Sequence, residues 1–134
     1  MKTWIVLLLG GLVATTGSAN ADTRATQQRN LDKYTPYLET PVDSFQFWSL
    51  YKWQLAGPDK VVVWPTIKKA YLLTVEQPCP RLEWTSSIGI TSVQLHQVSK
   101  RFDYVALRGD RCRITKIQPI DVGRMDKQRD AAGK

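Results

Sequence analysis

The sequence predicts one small, mainly β domain: a single antiparallel sheet or partly rolled barrel of about five to seven strands, with at most one or two short helices. Three observations predict it. Short runs rich in Val, Ile, Tyr and Trp recur between Gly, Pro and Asp turn signals. The connections between the runs are too short for crossover helices, which take a dozen or more residues, so neighbouring strands pair antiparallel. Two cysteines, Cys79 and Cys112, are spaced to staple such a domain.

The chain opens on an export signal. Lys2 supplies a positive charge, Trp4 to Val13 is an almost unbroken apolar run, and Ala19-Asn20-Ala21 fits the small-x-small pattern of a signal-peptidase site, placing cleavage between Ala21 and Asp22. The run is shorter than the roughly 20 apolar residues that cross a bilayer. No later apolar stretch reaches that length, so no integral span is expected after cleavage. Residues 1–21 are therefore read as a cleaved signal, and the mature protein as periplasmic or secreted. In an oxidising compartment the isolated cysteine pair reads as a disulfide. Its closed loop removes unfolded-state entropy equivalent to about 3–4 kcal/mol.

Residues 22–40 read as a mobile leader. They are polar at first, and although Leu31, Tyr34 and Leu38 repeat at helical intervals, Pro36 limits them to a short helical turn. The β-rich domain is expected over 41–124. Its first strand follows Pro41, with Phe45, Phe47, Ser49, Tyr51, Trp53 and Leu55 on one face; Trp48 and Leu50 break the pattern, as a bulge or a doubly covered strand would. Ala56-Gly57-Pro58-Asp59 is a turn, Val61 to Trp64 a buried strand ended by Pro65, and Ala70 to Val75 the third strand of a meander. Leu82, Trp84 and Ile88 could share one side of a short helix. Two more strands are expected around Val93–Val98 and Phe102–Leu107. A turn at Arg108-Gly109-Asp110-Arg111 then leads into a return strand, Cys112 to Gln118, ended by Pro119. Residues 125–134, charged and small, read as a disordered tail.

The chemistry is less legible. The chain carries 19 Lys and Arg against 12 Asp and Glu, a formal net charge of +7, which favours anionic partners. The densest basic group is Arg108, Arg111, Arg113 and Lys116, with Lys100 and Arg101 before the preceding strand. If Arg111 and Arg113 share a side of their strand, they make a positive stripe beside Cys112. Exposed members of Trp48, Trp53, Trp64 and Trp84 could add stacking surface, although most are expected in the core. His96 is the single histidine, too few for a zinc site of the usual His and Cys ligands once the cysteines are paired. With Ser44, Ser92, Ser99 and Asp103 it has the residue types of a hydrolytic triad, but no nucleophile-elbow glycine pattern surrounds a serine. A solvent-facing strand histidine is the simpler expectation. Arg108-Gly109-Asp110 matches an adhesion tripeptide but is explained by a turn. Neither a phosphate-cradling glycine loop nor a cofactor motif is present in the sequence, so no cofactor and no metal is expected.

Several stretches, taken in order, carry a resemblance. They are Pro41-Val42-Asp43-Ser44-Phe45 with Phe47-Trp48, Val62-Val63-Trp64, Ala70 to Val75, Pro78-Cys79 and Ile88 to Ser92. Val98-Ser99 with Arg101-Phe102-Asp103, Arg111 to Ile114 and Ile117 to Val122 complete the set. Together the chain resembles a family of small exported proteobacterial proteins that carries only a domain-of-unknown-function label. The likeness covers about Leu31 to Met125, and Ile67-Lys68-Lys69 departs from it by making one turn more basic. It implies export and one compact domain, and brings no activity, ligand or catalytic residue.

The expected function is a non-catalytic binding or structural module of the cell envelope or exterior; the sequence does not identify its ligand, and an envelope protein and an anionic polymer are the partner classes it leaves open. The first alternative is binding of an anionic polymer or lipid through Lys100, Arg101, Arg108, Arg111, Arg113 and Lys116. The second is a hydrolase using His96 with a serine.

Overall fold

The computed structural model describes residues 10–11 and 19–133 of the chain. Most of the expected signal segment lies outside them. The first described helix, α1 (Ala19–Tyr34), begins at the expected cleavage motif.

Eight strands follow: β1 (Ser44–Gln46), β2 (Lys52–Gly57), β3 (Lys60–Thr66), β4 (Lys69–Val75), β5 (Gly89–Ile90), β6 (Gln97–Ser99), β7 (Tyr104–Leu107) and β8 (Asp110–Ile120); helix α2 (Val122–Ala132) closes the chain. Six strands make one curled antiparallel sheet, a half-barrel in the order β2-β3-β4-β8-β7-β5, and β1 pairs with β6 in a separate two-stranded sheet. The β-rich fold class and the β2-β3-β4 meander are as the sequence predicts.

Each strand's burial follows from its residue pattern. In β3, Val61 and Val63 face the main core while Val62 and Trp64 face the other way, and all four are buried. A strand covered on both sides reads as a continuous apolar run. The main core also takes Leu73 and Val75 from β4, Ile114 and Ile117 from β8, Val105 and Leu107 from β7, and Phe45 and Val98 from the small sheet. Phe45 stacks on Tyr71 with ring centroids 4.3 Å apart, which seats the small sheet on the large one. The disulfide Cys79–Cys112 lies in the same core, its Cα atoms 6.0 Å apart.

The opposite face of the large sheet, the helix face, holds a second cluster: Tyr34, Ala56, Val62, Trp64, Ala70, Leu72, Ile120 and Val122. Helix α1 lies over β2 here, and this corrects the expected mobile leader. The helix has little apolar periodicity because much of its buried line is polar. Gln27 is buried, Asn30 donates from Nδ2 to the Leu55 carbonyl at 2.8 Å, and the buried Tyr34 donates its hydroxyl to Gln54 Oε1. Pro36 does not break the helix, because it falls beyond Tyr34 at the start of a 3-10 turn, Thr35–Tyr37, where a missing N–H costs nothing.

The expected disordered tail is also helical. Asp121 caps α2 by accepting from the Arg124 N–H at 3.0 Å. Tyr37 donates its hydroxyl to Gln128 Oε1, Arg124 Nη2 donates to the Pro36 carbonyl, and Val122 is buried.

Other corrections concern strand limits. The run Phe45–Leu55 is two strands in different sheets, and the break at Trp48 and Leu50 is the crossing between them rather than a bulge. Pro65 and Pro119 do not end their strands; β3 runs to Thr66 through a register irregularity, and β8 runs to Ile120. Leu82–Trp84 is a single 3-10 turn, and the strand expected at Val93–Val98 shrinks to Gln97–Ser99.

Candidate ligand-binding cleft

The turn between β6 and β7 is tied down by a network of hydrogen bonds. Asp103 is fully buried and its carboxylate accepts three hydrogen bonds: from Thr91 Oγ1 at 2.9 Å, from the Val93 N–H at 2.9 Å and from the Ser99 N–H at 2.7 Å. The Ser99 carbonyl accepts from the Phe102 and Asp103 N–H groups, and Ser99 Oγ accepts from the Arg101 N–H at 3.2 Å. A buried carboxylate requires such donors, and in return it fixes three segments at once. The residues held in place on this turn are Lys100, Arg101 and Phe102.

They line one wall of a cleft of about 670 Å³ between the two-stranded sheet and β8. Arg113, Ile114 and Thr115 form the β8 wall, and Glu76, Asp43 and Ser44 also border the space. Gln97 spans the small sheet here, donating from Nε2 to Ser44 Oγ at 2.8 Å. Lys100 pairs with Asp43 at 3.1 Å, in an exposed and therefore weak ion pair. Arg101 and Arg113 have no carboxylate within ion-pair range among the described residues; Arg113 Nη2 reaches the Arg101 carbonyl at 3.5 Å. Phe102 is about half exposed at the rim. The volume lies within the roughly 300–1,000 Å³ typical of small-ligand sites.

The structure divides the predicted basic group. Lys100, Arg101 and Arg113 meet at the cleft. Arg111 and Arg113 do share the face of β8 opposite the buried Cys112 and Ile114, but Arg111 lies over the Tyr104 ring, 4.5 Å from its centroid. Arg108 sits in the β7–β8 turn, beside Arg81 and away from the cleft. Lys116 pairs across to Thr74 and does not line it. The turn glycine expected at this hairpin is Gly109, with φ +79°.

The triad residue types are each engaged elsewhere. His96 is not on a strand; it has φ +56° in a turn and stacks on Trp48, with centroids 3.5 Å apart. Ser92 Oγ donates to the Gln94 carbonyl at 2.6 Å and accepts from the Gln97 N–H at 3.1 Å, and Ser44 and Ser99 have the partners given above. Two of the tryptophans expected in the core are exposed, Trp48 at 71% and Trp84 at 67%; Trp64 is buried and Trp53 half-buried. Sequence reasoning missed the acids of the cleft wall, Asp43 and Glu76, and the organising role of Asp103. The sole signal for Asp103 was a carboxylate inside a strand-like alternation.

Among the described residues, no group of three or more His, Cys, Asp or Glu side chains is placed to hold a metal ion, and no helix is long and apolar enough to cross a membrane. A family model described as a family of unknown function, DUF6491, matches residues 1–134. The chain belongs to that family. No curated protein and no solved structure matches it.

Proposed function

We propose that this DUF6491 protein is an exported, non-catalytic binding module that takes its ligand in the cleft between the two sheets. The observation that carries the reading is the convergence of Lys100, Arg101 and Arg113 with the hydroxyl and amide groups of Ser44 and Gln97 around one concave space. Export is supported by the signal-like residues 1–21, and the Cys79–Cys112 disulfide is compatible with an oxidising compartment. Binding has more support than hydrolysis, because His96 is stacked on Trp48 while Asp103 and the candidate serines serve the loop architecture.

The same convergence favours an anionic ligand. Two guanidiniums without ion-pair partners among the described residues offer planar forks that match carboxylate or phosphate oxygens, while Glu76 and Asp43 limit how many negative charges the cleft accepts. Polyphosphate is a suitable probe. With about three cations engaged, the logarithm of affinity should fall against the logarithm of salt concentration with a slope of about −2. Absent binding at low salt, or affinity indifferent to salt, would remove the anionic reading.

A further inference from the structure

A second hollow, about 360 Å³, lies beneath the β7–β8 turn and shares no residue with the cleft. Its walls come from the two segments that the disulfide joins. Arg81 and the 3-10 turn Leu82–Trp84 follow Cys79, and Leu107 and Arg108 precede Cys112. Arg81 lies along the hairpin: its Nη1 donates to the Arg108 carbonyl at 3.3 Å, and a Cβ at Gly109 would stand 3.2 Å from the same nitrogen. Glycine at 109 therefore serves both the turn and the seating of Arg81.

The charge here is unbalanced. Neither Arg81 nor Arg108 has a carboxylate within ion-pair range among the described residues. Glu83 borders a different hollow beside α1, and Asp110 Oδ1 accepts from the Arg111 N–H at 2.8 Å. Trp84 presents an indole to solvent, although a residue of this size is seldom left exposed by a well-packed fold. Ser86 and Ser87 add hydroxyls to the wall, while Thr85 Oγ1 donates to the Ser87 carbonyl and shapes the loop.

We infer that this hollow binds an acidic saccharide, a sugar ring carrying a carboxylate. The C–H face of a pyranose stacks on an indole, its hydroxyls match those of Ser86 and Ser87, and the carboxylate fits guanidinium donors in charge-assisted hydrogen bonds. Single-stranded nucleic acid fits less well, since it needs successive aromatic platforms along a groove and Trp84 is the one aromatic residue lining this hollow. The disulfide holds the indole wall and the arginine wall together. The inference deepens the binding-module reading but does not depend on the cleft.

The test is calorimetric titration of the mature chain with trigalacturonate, with neutral maltotriose as the control. Trigalacturonate should bind at least tenfold more tightly than maltotriose. Arg108→Ala is the cleanest variant, because Arg108 contributes its carbonyl rather than its side chain to the turn contact with Arg81. It should weaken trigalacturonate binding at least tenfold, and Trp84→Ala should do the same. Lys68→Ala, exposed and outside both hollows, should leave trigalacturonate affinity within twofold, and Arg101→Ala with Arg113→Ala, in the cleft, separates the two sites. Equal binding of the two sugars, no binding at low salt, or unchanged affinity in Arg108→Ala would overturn the inference. Tighter binding of single-stranded DNA would also overturn it. Loss of trigalacturonate binding in the cleft variant alone would place the sugar in the cleft, refuting this site while sparing the earlier proposal.

Discussion

The helix face of the large sheet has two halves that obey opposite rules. Over β2, β3 and β4 it is apolar and covered: Val62, Trp64, Ala70 and Leu72 lie beneath α1, the Thr35–Tyr37 turn and the start of α2. Over β7 and the first half of β8 it is uncovered, and the same face carries Tyr104, Ala106, Arg111 and Arg113. The main core continues behind both halves without interruption. The contrast teaches where the covered, stabilising half of the sheet ends and the proposed binding surface begins. Strands apolar on both sides recruit helices, whereas strands that alternate leave a cationic surface exposed among the described residues.

The largest expected effect comes from breaking the covered half. Trp64 is buried, meets Tyr34 edge-to-face with centroids 6.3 Å apart, and lies under Lys52 Nζ at 4.4 Å. Trp64→Ala should lower unfolding free energy by about 3–5 kcal/mol, read from a urea denaturation midpoint. A loss below about 1 kcal/mol would mean that α1 is not seated on this strand.

The second effect belongs to the bond beneath the uncovered half. Replacing Cys79 and Cys112 together by alanine should cost about 3–4 kcal/mol, from the entropy of a loop that spans a separation of 33 residues. The same denaturation series measures it. A cost near zero would show that the β7–β8 hairpin is held by its packing alone.

Much of this division can be read in the residues themselves. Val61-Val62-Val63-Trp64 announces a doubly covered strand, and Arg111-Cys112-Arg113-Ile114 announces one with a single buried face, because side chains alternate across a strand. The cover itself was hidden. Helix α1 meets the sheet partly through the buried Gln27 and through Asn30, which hydrogen-bonds the Leu55 carbonyl, polar residues that apolar periodicity does not detect, and α2 is fixed by its Asp121 cap and by contacts with Tyr37 and Pro36 from the far end of the chain. The cleft was half legible. The cations of the basic group were visible, but their sorting into Lys100, Arg101 and Arg113 on one side and Arg108 on the other depends on the Asp103 loop and the hairpin turn. Those are long-range arrangements without a local pattern.

The smallest effect on stability is also the sharpest test of function. Arg101 and Arg113 are exposed and carry no ion pair among the described residues, so Arg101→Ala with Arg113→Ala should change unfolding free energy by no more than about 0.5 kcal/mol at each position. Polyphosphate affinity measured at low salt on the same protein should fall at least tenfold, the loss of about 1.4 kcal/mol or more of binding. A folded double variant that binds polyphosphate as tightly as the parent chain would contradict the assignment of the cleft as the ligand site.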